Sequence, residues 1–112
     1  MKKELTTTEM LEKDCKEYVK ELVRLFNLKN REKFNDYVAG ESTLDFEYRV
    51  NARREYNSVL VTLSCGGPNI YLDTEDAYIR GYWGAAFVEM PIPYDIRNAI
   101  DDIYGDMWEC GA

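Results

Sequence analysis

The chain changes its hydrophobic period twice. After Thr6, the apolar residues Leu11, Cys15, Tyr18, Leu22 and Leu25/Phe26 recur at three- and four-residue steps, which puts them on one stripe of a helix. Thr6-Thr7-Thr8-Glu9 has the spacing of a capping box, with Thr6 accepting from a first-turn N–H and Glu9 reaching back. The pattern predicts a helix from about Thr8 to Leu28, with Glu12, Lys16, Glu17 and Glu21 in water. Asn30 can cap a shorter second helix that buries Phe34, Tyr37 and Val38 and stops at Gly40.

From Leu44 to Val50 apolar and charged residues alternate without a fault, as in a half-buried strand. Tyr56 to Ser64 is rich in β-branched residues and predicts a second, more central strand. Cys65-Gly66-Gly67-Pro68-Asn69 is a turn by composition. Ile70 to Leu72 and Tyr78 to Trp83 then form a hairpin around Thr74-Glu75-Asp76. Phe87 to Pro91 adds a further strand, which Pro91 confines to an edge. The helical period returns in Ile96, Ile100, Ile103 and Met107, with Tyr104 and Trp108 beside that stripe, Pro93 at the helix start and Gly105 weakening its late part. The order predicts one α+β domain spanning 1–112: an antiparallel four- to five-stranded meander with two N-terminal helices and one C-terminal helix.

Composition narrows the chemistry. The 112 residues are 46% hydrophobic and 13% aromatic, with nine tyrosines, enough for one core and too apolar for a disordered chain. No run reaches the about 18 to 20 apolar residues of a membrane span, and the lysines of Met1-Lys2-Lys3 lead into charge rather than an apolar stretch. Three widely spaced cysteines, Cys15, Cys65 and Cys110, fit a reducing compartment. The expectation is residence in the cytoplasm of a cell, or of the host of whatever element encodes the chain. The net charge of −7 is uneven: residues 1–40 carry nine basic and eight acidic groups, whereas residues 41–112 carry five arginines and thirteen acids. Such a surface repels nucleic acid and attracts basic proteins.

With no histidine in the chain, the usual general base and the commonest zinc ligand are missing, and neither a Ser–His nor a Cys–His pair can form. Neither a CxxC-type site nor a phosphate-binding glycine loop is present. We therefore expect no catalytic residues, no metal and no cofactor. Cys65 beside the glycine turn has no base to activate it, and the plainer reading makes it a small core residue before a tight turn with positive φ at Gly66 or Gly67. Asp73, Glu75 and Asp76 only superficially resemble a calcium loop, lacking the ligand number and closing glutamate.

Two constellations remain as candidate partner-binding sites. Carboxylates cluster at Asp73, Glu75 and Asp76 and again at Asp101 and Asp102, the latter late in a helix whose dipole disfavours them. Aromatic residues gather at Tyr78, Tyr82 and Trp83, with Tyr71 and Phe87 nearby. Strand alternation puts Tyr78, Arg80 and Tyr82 on one face and Ile79, Gly81 and Trp83 on the other. A Tyr/Arg face ringed by acids has the composition of a protein-binding surface, and equally of rings that cover core edges.

The segment from Leu63 to Trp108 resembles a group of small uncharacterised phage and mobile-element proteins. The resemblance is carried by Gly66-Gly67-Pro68, Ile70-Tyr71-Leu72-Asp73-Thr74, Gly81-Tyr82-Trp83-Gly84 and the acidic segment from Tyr94 to Trp108. It implies an accessory protein of the anti-CRISPR or anti-restriction type. Such a protein would be a non-enzymatic inhibitor that occupies the basic nucleic-acid groove of a host defence enzyme or its nucleic-acid complex, without contacting nucleic acid directly. The competing expectation is an interaction or scaffold module, homodimeric in one form, with no defence role. A small-molecule binder that uses the glycine turn and the aromatic face is a third.

Since no base can activate Cys65, its replacement by Ala is expected to leave binding or inhibitory activity within a few-fold of wild type. Complete loss in a variant that still folds would restore a nucleophilic role.

Overall fold

The computed structural model describes residues 5–40 and 43–111; the Met1–Glu4 lead lies outside them. Helix α1 (Thr7–Asn27) starts at the expected box: the Glu9 N–H donates to Thr6 Oγ1 at 3.1 Å, and the Thr6 N–H donates to Glu9 Oε1 at 3.3 Å. Helix α2 (Arg31–Ala39) is capped by Asn30, whose Oδ1 accepts from the Lys33 N–H at 3.2 Å. Five antiparallel strands follow: β1 (Asp45–Val50), β2 (Tyr56–Ser64), β3 (Asn69–Asp73), β4 (Tyr78–Trp83) and β5 (Ala86–Pro91). Each pairs with its neighbour in sequence, giving a β1-β2-β3-β4-β5 meander with β5 and Pro91 at an edge. Helix α3 (Tyr94–Gly111) closes the α+β fold. Among the described residues, no helix is long and apolar enough to cross a membrane.

All three helices lie on one side of the sheet. Helix α1 rests on β4 and β5, α3 rests on β2, and α2 bridges the two helices. The shared core contains Leu11, Cys15 and Leu22 of α1, Val59 and Val61 of β2, Leu72 and Ile79 of β3 and β4, and Ile96 and Ile100 of α3.

The structure corrects four details of the sequence reading. Leu44 precedes β1 and is 59% exposed, and Val50 lies past a register shift and is 38% exposed, so only Phe46 and Tyr48 of that strand face inward. Cys65 is exposed, because it lies in the turn beyond the last β2–β3 pair, where Gly66 takes the expected positive φ of 93°. The α3 stripe centres on Tyr104, which is fully buried while Ile103 and Met107 are half-buried. Its hydroxyl donates to Val38 O at 2.5 Å, and its ring packs on Phe46 at 5.0 Å. Finally, α3 runs on through Gly105, where an added Cβ would make only an ordinary 3.5 Å contact with the Tyr56 ring.

Gly81 fixes how closely helix and sheet approach. A Cβ there would stand 2.7 Å from Leu11 Cδ1 and 2.9 Å from Cys15 Sγ, both on fully buried residues that have nowhere to move. Glycine inside a strand is otherwise unfavourable, so its presence here reflects the packing. Gly81→Ala is expected to cost about 1 to 3 kcal/mol by overpacking. Gly67→Ala, which meets nothing within 4 Å, should be near neutral. Urea denaturation of the two variants checks this, and equal stability would mean that α1 is not seated as tightly as the geometry shows.

Candidate functional site: the helix-free face of the sheet

Strand register assembles the uncovered face row by row. Asp73 of β3 stands between Leu60 and Tyr78; Arg80 of β4 stands between Tyr71 and Glu89; Tyr82 stands between Asn69 and Phe87. Beside them, β1 contributes Asp45, Glu47 and Arg49, opposite Thr62, Leu60 and Ser58.

A charged network occupies one part of this face. Arg49 grips Asp73 with two parallel bonds, Nη1 to Oδ1 at 2.6 Å and Nη2 to Oδ2 at 3.1 Å, the bidentate geometry that suits a guanidinium. Arg80 donates to the same Oδ2 at 3.2 Å and to Glu89 Oε2 at 2.7 Å, and it pairs with Asp76. Glu75 lies 3.5 Å from Arg49, and its N–H donates to Asp73 Oδ1 at 3.0 Å. One carboxylate on β3 thus ties β1 to β4 across three ladders, and Arg80 carries the tie on to β5. Burial pushes the Asp73 carboxyl up. The hydrogen bonds from Arg49 and the Glu75 N–H, with the charges of Arg49 and Arg80, outweigh this and hold it below the usual carboxylate value.

Further along the face, aromatic rings replace charge. Tyr71 and Tyr82 meet edge to face at 6.2 Å, and Tyr82 and Phe87 lie 5.0 Å apart. Tyr82 is 42% and Phe87 51% exposed, so these rings cover one another without being buried. Tyr78 receives the Arg80 guanidinium over its ring at 5.4 Å.

Of the eight residues singled out in the sequence, the structure brings Asp73, Tyr78 and Tyr82 onto this face and puts Glu75 and Asp76 on the turn at its end. It separates the other three. Trp83 points to the opposite side and packs against the core, as strand alternation requires. Asp101 and Asp102 belong to α3, on the helical side. Asp101 accepts a 2.6 Å bond from the Tyr56 hydroxyl, while Asp102 is exposed. Asp45, Glu47, Arg49 and Glu89 join the face without having been singled out. The alternation of β1 gave the faces of the first three, but Glu89 opposite Arg80 needs the β4–β5 register. Tyr71, Arg80 and Phe87 were in view in the sequence but not placed.

Burial, helped by the charge of Asp14, pushes the Cys15 thiol up to about 11, so it stays protonated. Cys65 and Cys110 are exposed free thiols. Among the described residues, no three His, Cys, Asp or Glu side chains converge as a metal site requires.

The Asp73 clamp has a signature in pH. A carboxyl held below its unfolded value stabilises the fold above that value, near 3.8, and the stabilisation is lost as pH falls through the folded value. Asp73→Asn should cost about 1 to 3 kcal/mol at pH 7 by leaving two guanidinium groups without their shared acceptor. The gap to wild type should narrow toward pH 3. Urea melts of both proteins at the two pH values measure it, and a gap independent of pH would mean that the Asp73 charge does not matter.

No family model, curated protein or solved structure matches this chain.

Proposed function

We propose that this chain is a non-enzymatic inhibitor that docks through the helix-free face of its sheet onto a basic, nucleic-acid-handling surface of a host defence enzyme, as an anti-CRISPR or anti-restriction protein does. One observation carries this reading. The uncovered face, with the turn at its end, holds six carboxylates, Asp45, Glu47, Asp73, Glu75, Asp76 and Glu89, against Arg49 and Arg80, next to the exposed rings of Tyr82 and Phe87. The adjoining β1–β2 turn, with Arg53, Arg54 and Glu55, leaves the region still at −3. Opposite charge steers a basic partner into contact, and aromatic rings with arginine supply the anchors. The defence enzyme as target comes from the resemblance of Leu63 to Trp108 to phage and mobile-element proteins. The lack of histidine and the protonated state of Cys15 support a binding role over a catalytic one.

The geometry also chooses the carboxylates to test. Asp73, Asp76 and Asp101 are engaged inside the molecule, so altering them confounds binding with stability. Asp45, Glu47 and Glu75 are the better set: the first two pair with no cation among the described residues, and Glu75 is 70% exposed at its side chain. Each exposed charge contributes about 0.2 to 1 kcal/mol, so Asp45→Asn/Glu47→Gln/Glu75→Gln is expected to weaken inhibition by about tenfold. The assay is DNA cleavage by a panel of RNA-guided nucleases and restriction enzymes. Inhibition should fall as salt rises from about 50 to about 200 mM and should be abolished by Tyr82→Ala/Phe87→Ala. If no enzyme is inhibited and the chain instead forms a stable dimer that Tyr82→Ala/Phe87→Ala dissociates, the scaffold reading replaces this one.

A further inference from the structure

On the helical side, remote from the sheet face and independent of its reading, α1, α2 and α3 enclose an open cleft of about 400 Å³. Leu25, Phe26, Phe34 and Ile103 supply its apolar surface, with the two phenyl rings edge to face at 5.8 Å. Lys29 and Arg31 stand at its rim, and asparagines complete the lining. Not one carboxylate lines it, although the chain carries 21 acids against 14 basic residues. Lys29 and Arg31 pair with no carboxylate among the described residues, as is also true of Lys13, Lys16, Lys20, Lys33, Arg53 and Arg54.

Lys29 also has φ of 56°, the left-handed conformation that glycine usually supplies just past a helix. Glycine would take this conformation at a lower backbone cost than lysine, as it would at Arg54 and Ala77.

We infer that this cleft is a binding site for a small organic carboxylate with an aryl or short alkyl body. The volume lies in the range of small-molecule pockets, which are mostly apolar with a few polar groups that fix orientation. The ligand's apolar body would lie against Phe26, Phe34 and Ile103. Its carboxylate would face Arg31, whose planar fork matches two carboxylate oxygens, and Lys29, a mobile point charge. The cleft joins apolar area to two cations with no carboxylate in its lining, so charge and burial both favour such an anion there.

The probe is 4-phenylbutyrate, titrated into the full chain alongside its neutral analogue 4-phenylbutanol, with binding followed by calorimetry and backbone amide shifts. Saturable binding of the acid, mapped to Leu25–Asn35 and Ile103, is expected, with the alcohol about tenfold weaker. Lys29→Gln/Arg31→Gln, both exposed positions, should weaken the acid about tenfold and leave the alcohol unchanged. Lys29→Arg/Arg31→Lys should retain the acid. Lys29→Gly relieves the left-handed backbone, so it should keep or raise the melting temperature while weakening the acid, separating ligand binding from structure. No saturation, equal affinity for acid and alcohol, shifts mapping elsewhere, or indifference to the Gln pair would each overturn the assignment.

Discussion

The distance between α1 and β4 governs the rest of this molecule. Where Leu11 and Cys15 meet the bare backbone of Gly81, helix and sheet come closer than any side chain would allow. That contact seats α1 over β4 and β5, leaving α3 to cover β2 and α2 to join the helices. Every apolar stripe is then spent on one side of the sheet. The other side has no helix, and its strands must be held by what they carry themselves. The bonds of Arg49 and Arg80 to Asp73, extended to Asp76 and Glu89, are that solution, and they leave a surface that is both ordered and charged.

The aromatic residues follow the same division. Phe46, Tyr48, Tyr104 and Trp108 form a packed set between β1 and α3, with Tyr48 and Trp108 rings 5.0 Å apart and the Trp108 indole N–H donating to Arg54 O at 2.8 Å. Tyr71, Tyr82 and Phe87 form the second set, facing outward. Composition alone counts these rings together. Their separation distinguishes the rings packed between β1 and α3 from those that lie on the helix-free face of the sheet.

Much of the fold was legible because its signals are local. The capping box, the helical stripe of α1, the alternation of β1 and the glycine turn each depend on a few adjacent residues, and each element formed near its expected place. The corrections arose where burial depends on distant neighbours. Leu44 and Val50 continue the alternation but lie past the cover of the helices, and Tyr104 became the centre of α3 because α2 and β1 converge on it. The face was legible only in part for the same reason. Alternation put Arg80 and Tyr82 together, yet Arg49 and Asp73 are 24 positions apart and meet only once two ladders are in register. Eight of the nine residues that line the cleft beside Lys29 lie between Leu25 and Asn35, but the ninth, Ile103, reaches it from the far end of the chain and only the tertiary fold brings it there.

The seating of α1 on Gly81 also sets an order of events during synthesis on the ribosome. Leu11 and Gly81 are 70 positions apart, so α1 is made well before the strand that it packs against. At roughly 5 to 20 residues per second, that interval lasts several seconds. Only the distal end of α1 has an early companion, α2, through the contact of Phe26 with Phe34. The Leu11–Cys15 end lacks its strand partner in the nascent chain until β4 emerges, so that apolar stretch of α1 stays exposed for the whole interval.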